Sequence, residues 1–209
     1  MLFVSFLSLP VHGFSQSKIG ITSGITYTSI SGDEPENAGY SKGVGYLFGL
    51  TGELNITKDL KICLQPQYLR NSTVIFYEQR NVDPVDSFKL NLDYFSLPVL
   101  LKIPALSGIA YFNSGVGFSY LSKSTLSDQT GTGTERDLND KLNRFDFSVI
   151  FGFGLNFPIY DKFELEFEAR YSQSLLNLSN GSTAFTGTLP DRYRSSGFHL
   201  ITDIIYSFK

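Results

Sequence analysis

The chain has 209 residues, which is enough for one β-barrel or β-sandwich domain and gives no reason to expect a second. Its net charge is -3, and no cluster of Lys and Arg stands out, so the composition argues against a nucleic-acid partner. A single cysteine, Cys63, excludes an internal disulfide framework.

The N-terminus, MLFVSFLSLPVHGFSQ, has an apolar run from Leu2 to Leu9, then a proline and a stretch of small and polar residues. This pattern is typical of a secretory signal peptide, although no Lys or Arg precedes the apolar run. We therefore predict a signal peptide over residues 1–16, with an ordinary first strand as the alternative. No later stretch supplies the roughly 18–20 uninterrupted apolar residues of a membrane-spanning helix.

Beyond residue 16, eight segments alternate apolar and polar residues with the period of two that is typical of β-strands. In chain order they are 18–30, 44–56, 60–77, 88–103, 110–121, 145–157, 163–175 and 198–208. The clearest is 145–157, in which all seven odd positions are apolar and five of them are Phe.

The fourth segment, 88–103, is irregular. Its apolar residues occupy even positions up to Tyr94 and odd positions from Phe95 onwards. A β-bulge near Tyr94–Phe95 would keep all of them on one face of the strand, and we predict one there.

The connections between the segments alternate in length. Those after the second, fourth and sixth segments are tight turns at 57–59, 104–108 and 159–162. The others are long and polar, as in 31–42 and 122–143. Short turns on one side and long loops on the other are typical of outer-membrane barrels, in which the turns are periplasmic and the loops extracellular.

Alternation alone does not decide whether the apolar face is buried, as in a soluble β-barrel carrier or a sandwich, or faces lipid. An eight-stranded barrel is only just wide enough for side chains, so the seven large groups of 145–157 would overfill its interior. The opposite faces are rich in Gly, Ser, Thr and Asn, which fit a crowded lumen. Several segments also reach the 9–11 residues that cross a bilayer as tilted strands.

We therefore predict an all-β fold, with residues 17–209 forming an eight-stranded antiparallel up-and-down transmembrane β-barrel in the bacterial outer membrane. Tyrosines near the strand ends fit an aromatic girdle at the membrane surface: Tyr27, Tyr46, Tyr120, Tyr171 and Tyr206. The barrel is expected to be monomeric and to contact outer-membrane lipid.

The segment LDYFSLPVLLKI (92–103) resembles a motif, L-x-Y-hydrophobic-x-hydrophobic-P-x-L-L-K, of PorT-like outer-membrane β-barrel proteins of Bacteroidetes. The N-terminal region, the tight turns and the amphipathic last strand extend the resemblance over the mature chain. It implies a barrel of the cell envelope. Within it, Pro98 requires a bulge, an edge or a ladder position that needs no N–H donor.

Ionisable residues collect on the predicted lumenal face: Glu53, Lys61, Asp146, Glu164, Glu166, Glu168, Arg170, His199 and Asp203. Buried carboxylates need opposite charges or hydrogen-bond donors, and Arg170, Lys61 and His199 are the candidate partners. Two interpretations follow. One is a polar interior that stabilises a narrow barrel, and the other is a proton-binding, cation-binding or acid/base site.

Chemistry beyond this cluster has little support. His199 is the one histidine outside the predicted signal peptide, and no nucleophile motif frames the nearby serines. One such histidine and one cysteine do not make a usual zinc site, so we expect no metal, no cofactor and no enzyme. The sequence favours a structural or interaction role, in which extracellular loops bind an envelope or secretion partner. A soluble carrier and an outer-membrane enzyme using His199 are the alternatives, and an eight-stranded barrel is too narrow for a diffusion porin.

Overall fold

The computed structural model describes residues 17–32, 38–77, 87–128, 136–179 and 193–208. Ten strands lie within them: β1 (Ser17–Gly32), β2 (Ala38–Thr57), β3 (Leu60–Leu64), β4 (Gln67–Tyr77), β5 (Ser87–Ala105), β6 (Ala110–Asp128), β7 (Arg136–Asp137), β8 (Phe145–Tyr160), β9 (Phe163–Ser174) and β10 (Tyr193–Ser207). A 3₁₀ turn, Leu106–Gly108, joins β5 to β6. None of the helical residues described forms a segment that could cross a membrane. The predicted signal peptide, residues 1–16, lies outside the described residues and stays a prediction.

The strands close into a ring. β1 pairs with β2 on one side and with β10 on the other, so that the first and last strands seal the sheet. β3 and β4 both pair with β2 and β5. The two-residue strand β7 pairs only with the extracellular part of β6 and is not a separate strand of the ring. Counting β3 with β4 as one interrupted strand gives an eight-stranded antiparallel barrel, as the sequence predicts.

The interruption between β3 and β4 explains the position of Pro98. Both strands keep one register against β5, since Leu64 lies opposite Val99 and Gln67 lies opposite Ser96. In the gap, the Gln65 amide donates to the Pro98 carbonyl at 3.1 Å. Pro98 therefore sits at a gap in the regular ladder, where its missing N–H is tolerated.

The apolar face of the sheet points outward. Phe95, Phe118 and Phe151 are 62, 52 and 58% exposed, whereas the inward-pointing Arg170 is 1% exposed. This polarity is the reverse of a soluble protein and matches a barrel surrounded by lipid. The alternative of a soluble β-barrel carrier is therefore wrong.

Aromatic rings form a girdle near the extracellular end of this outer face. Neighbouring strands contribute ring pairs with centroids 5.1–6.1 Å apart: Tyr46–Tyr68, Tyr68–Phe95, Tyr120–Phe145 and Tyr171–Phe198. Phe163, Tyr206 and Phe208 form the periplasmic counterpart. Tyr206 follows Phe198 by eight positions along β10. At a tilt of about 40° they rise roughly 20 Å along the barrel axis, close to the height of the apolar band of such barrels.

The strands are longer than predicted and extend beyond the extracellular girdle. β1 and β2 run into the predicted loop 31–42, and β6 continues to Asp128 in the predicted loop 122–143. Above the girdle the outer face is polar and the inner face is apolar, so the alternation inverts. A prediction that expects apolar residues on the outer face along the whole strand therefore ends the strand at the girdle, too early.

The same inversion accounts for the irregular fourth segment, and the predicted β-bulge in β5 is wrong. Leu90, Leu92 and Tyr94 point into the barrel, in phase with the buried Ser96, while Phe95 points outward. β5 pairs with β4 without a break. A register shift does occur at Asp93/Tyr94, but the extra residue, Ser122, belongs to the neighbouring strand β6.

The extracellular half of the barrel encloses an apolar core. Ile30, Ile75, Leu90, Leu92 and Leu121 belong to one buried cluster. Three loop leucines complete it from above: Leu138, Leu142 and Leu178. Hydrogen bonds hold these loops together, since the Asn143 side chain donates to the carbonyls of Asn177 and Ser179. We call residues 136–144 and 175–179 the cap, because three of their leucines cover the apolar core at this end of the barrel.

Candidate functional site in the barrel lumen

All nine ionisable residues of the predicted lumenal cluster lie on the inner face of the barrel. Each lies on the face of its strand that points away from the exposed apolar residues, and most of them are buried. The structure divides them into two levels. Most lie in the periplasmic half, whereas Asp146 lies near the extracellular end, where the Ser174 hydroxyl donates to its carboxylate.

The centre of the periplasmic half is an ion cluster around Lys102 of β5. The Lys102 ammonium donates to both oxygens of Glu166 at 2.6 and 2.5 Å and to the carboxylate of Glu53. Lys61 also donates to Glu53, at 3.3 Å. The Lys102, Glu53 and Glu166 side chains are at most 5% exposed, so this cluster is shielded from water. Two carboxylates and two ammonium groups balance its charge.

A tyrosine ring completes the surroundings of Lys102. The Lys102 ammonium lies 3.9 Å from the centroid of the Tyr111 ring, which is within range of a cation–π contact. Tyr111 lies opposite Gly154 in the pairing of β6 with β8. A Cβ at Gly154 would lie 2.2 Å from the Tyr111 ring, so only glycine leaves room for the ring at this position.

Replacing Gly154 with Val is therefore expected to destabilise the barrel by about 1–3 kcal/mol, since the added side chain overfills the lumen. Urea unfolding of the purified protein in detergent micelles measures the change. Gly52→Val is the matched control, because a Cβ at Gly52 meets nothing closer than 3.9 Å. Equal stability of the two variants would contradict a close-packed lumen at Gly154.

A second ion pair lies beside this cluster. The Arg170 guanidinium donates to Glu168 at 2.5 Å and to the side-chain oxygen of Gln65 at 2.7 Å. Tyr111 donates its hydroxyl to the other oxygen of Glu168 at 3.3 Å, which links this pair to Lys102. Arg170 and Glu168 are both buried, so the pair is a fixed part of the interior.

The third glutamate of β9 lies at the periplasmic mouth. Glu164 accepts from Lys18 at 2.5 Å, from Asn156 at 2.6 Å and from Ser207 at 3.1 Å. The Lys18 and Glu164 side chains are 14 and 19% exposed, so this pair is partly open to water.

Each glutamate of β9 thus has its own cation. Of the predicted partners, Arg170 is confirmed as the partner of Glu168. Lys61 is confirmed as well, because it pairs with the buried Glu53, whereas the expectation for His199 is wrong, because His199 forms no salt bridge with the described residues. Lys102 and Lys18, which the predicted set omits, neutralise Glu166 and Glu164.

The alternation does contain a signal for both missing lysines. Lys102 lies between the outward Leu101 and Ile103, and Lys18 lies next to the outward Ile19. Counting from these neighbours places both lysines in the lumen. Lys102 is obscured because the phase change earlier in β5 makes the parity of that strand ambiguous.

His199 and Asp203 are not hydrogen-bonded to each other through the His199 Nδ1 in the described part of the chain. Both are buried, yet the His199 Nδ1 and both carboxylate oxygens of Asp203 lack hydrogen-bond partners among the described residues. Thr22 lies opposite Asp203 in the pairing of β1 with β10, and its hydroxyl is also unpartnered within the described part of the chain. Buried polar atoms of this kind are satisfied by water in most proteins.

A small polar cavity lies above the ion clusters. Its walls include His199, Arg170, Asp146 and several serines, among them Ser172 and Ser174. The cavity has a volume of about 30 Å³, which holds roughly two water molecules. This space suits hydration of the lumen and is too small for an organic substrate. Within the described ranges, no group of three or more His, Cys, Asp or Glu side chains is arranged to hold a metal ion.

Cys63 is also part of the interior. It is 3% exposed, and its thiol lies 3.3 Å from the Thr51 hydroxyl. Leu100 and Ile150 form one buried cluster with it. These surroundings are those of a packed, unreactive thiol.

Comparison with known proteins assigns the family. A model described as "Outer membrane protein beta-barrel domain" matches residues 14–180, which is most of the chain. The chain belongs to this family. Its location is therefore the bacterial outer membrane, in agreement with the outward apolar face. No functionally curated protein matches the sequence.

Several solved structures are similar to the chain at low sequence identity. OprG from Pseudomonas aeruginosa is 9% identical with a TM-score of 0.53, over 93% of this chain and 96% of OprG. Neisserial surface protein A is 13% identical with a TM-score of 0.48, over 91 and 97% of the two chains. Ail of Yersinia pestis is 14% identical with a TM-score of 0.43, over 91 and 99%. The resemblance to OprG supports the outer-membrane barrel fold.

Proposed function

We propose that this protein is a closed, non-porin barrel of the outer membrane whose cap binds an envelope or secretion partner outside the cell. The observation that carries the proposal is the double closure of the lumen. Ion clusters around Lys102 and Arg170 fill the periplasmic half, and the apolar core fills the extracellular half. A solute would have to displace both.

The contacts that hold the cap in place support an interaction role over transport. Leu138, Leu142 and Leu178 anchor it in the apolar core, so its polar residues are displayed on a fixed base. Asp137 and Asp140 are exposed there. Rigid presentation lowers the entropy cost of binding a partner. We propose no catalytic role, because His199 lies beneath the cap beside a cavity of water size.

The resemblance of residues 92–103 to PorT-like proteins favours a partner from the secretion machinery of the envelope. Leu100 and Lys102 of this segment point into the lumen, so the resemblance rests in part on interior packing. We therefore propose a common ancestry with the PorT-like group as well as a similar kind of binding partner.

Purified protein in planar lipid bilayers is expected to give no conductance steps, because the ion clusters and the apolar core fill the lumen in the described part of the barrel. A general porin in the same membranes is the positive control. Stable, reproducible steps from the folded protein would contradict the closed lumen.

A photo-reactive amino acid at Asp140, in the cap, is expected to cross-link to a discrete partner in living cells. The same group at Asp59, in the exposed turn after β2, is the control for the opposite side of the membrane. Cross-linking at Asp59 but not at Asp140 would contradict binding through the cap.

A further inference from the structure

The lipid-facing surface carries an apolar groove of about 770 Å³ that begins at the extracellular girdle and continues below it. One wall is the aromatic row Phe48, Tyr68 and Phe95, with ring centroids 5.2 and 6.0 Å apart. The other wall contains the tilted ring pair Phe118–Phe147, with centroids 5.2 Å apart. Leu97 lies between them. The groove therefore has the shape and chemistry to hold a hydrocarbon chain.

Two basic side chains, Arg144 and Lys123, lie at the extracellular rim of this groove. Arg144 donates to the hydroxyl of Tyr120, a groove residue, at 3.3 Å, and its carbonyl accepts from the Leu121 amide at 2.7 Å. Lys123 is exposed two residues beyond Leu121. Neither side chain forms a salt bridge with a carboxylate in the described part of the chain, whereas nearby Arg70 is neutralised by Asp93 at 2.5 Å.

The depth of these groups matches the two parts of an amphiphile. Tyr120 belongs to the aromatic girdle, which marks the level of the lipid head groups. Tyr68 and Phe95 lie in the same girdle, the rest of the groove walls continue below it into the hydrocarbon, and the two cations lie at or above it. Acyl chains fit the groove by burial of apolar surface, and an anionic head group complements the cations.

We propose that this groove binds one anionic phospholipid-type lipid of the outer leaflet, whose phosphate is not balanced by a cation of its own, with an acyl chain between the aromatic walls and the phosphate against Arg144 and Lys123. A neutral apolar molecule would use the walls but not the cations. A soluble anion would use the cations but not the walls. The proposal depends on the outer-membrane location and is independent of what binds the cap.

The chain contains no Trp, so a single Trp in place of Phe118 is an unambiguous fluorescent probe of the groove. The Phe118→Trp protein is reconstituted in phosphatidylcholine vesicles that contain a small fraction of brominated phosphatidylglycerol or brominated phosphatidylcholine. Bromine quenches Trp on contact. Each basic side chain near an anionic head group strengthens binding by a factor of about five, so the anionic lipid is expected to bind about 25-fold more tightly.

Adding Lys123→Gln and Arg144→Gln is expected to reduce quenching by the anionic lipid to the level of the zwitterionic lipid. Lys162→Gln is the matched control, because Lys162 lies 5.8 Å from the ring of Tyr206 at the opposite membrane surface. This control should leave the selectivity unchanged. Equal quenching by the two lipids in the parent protein, or selectivity that survives the double substitution, would overturn the proposal.

Discussion

Replacing Lys102 with Met is expected to lower the free energy of unfolding of the barrel by about 3–5 kcal/mol, because it leaves buried carboxylates without their main cation. Glu166 loses its only salt bridge among the described residues, and Glu53 keeps only Lys61. Burial of an unpaired charge is far more costly than the pair itself is stabilising. Urea unfolding in lipid vesicles, followed by circular dichroism, measures the loss.

Two further variants test this explanation. Lys18→Met breaks the partly exposed pair with Glu164 and should cost about 0–1 kcal/mol, since water solvates the remaining charge. Lys102→Met combined with Glu166→Gln removes the unpaired carboxylate, so much of the lost stability should return. If Lys102→Met is as stable as Lys18→Met, the ion cluster does not hold the lumen together.

An Arg in place of Phe151 is expected to destabilise the barrel by about 2–4 kcal/mol, because this residue faces lipid near the middle of the apolar band. Phe151 is 58% exposed. On a soluble protein, a substitution at such an exposed position would change stability by only about 0.5 kcal/mol. The expected loss of stability therefore comes from placing a charge in the membrane and not from losing a contact within the protein.

Phe145→Arg provides the matched control at the extracellular girdle of the same strand. Phe145 is 70% exposed and lies at head-group level, where an Arg costs about 0–1 kcal/mol. Unfolding of both variants in lipid vesicles compares the two depths. Equal and small effects would contradict a lipid-facing surface at Phe151.

The barrel was predictable because alternation and turn length are local properties of the sequence. All eight segments become strands, and the seven Phe, Val and Leu residues at odd positions of 145–157 point outward. The nine ionisable residues predicted for the lumen lie there for the same reason. A period of two fixes the face of a residue once one neighbour is assigned.

Pairing within the lumen was not predictable, because it depends on the stagger between strands. Lys102 of β5 reaches Glu166 of β9 across the interior, although these strands are not hydrogen-bonded to each other. His199 lies directly opposite Arg170 in the pairing of β9 with β10, yet Arg170 turns to Glu168 and Gln65. Adjacency in the sheet therefore does not decide which charges meet.

The apolar interior above the girdle was also not predicted from the sequence pattern. Leu90 and Leu92 look like lipid-facing residues if apolar side chains are assumed to point outward along the whole strand. They point inward because the upper part of β5 stands outside the hydrocarbon, where the barrel surface is polar and its core is apolar. One strand thus carries two opposite patterns, joined near Tyr94.

The central claim is that the chain is a closed barrel embedded in the outer membrane. Membrane extraction followed by gel electrophoresis, with and without boiling, tests it most directly. We expect the protein to require detergent for extraction and to migrate faster in the unheated sample, because a paired barrel resists unfolding by detergent. A protein recovered in the soluble periplasmic fraction, with one mobility before and after boiling, would contradict the claim.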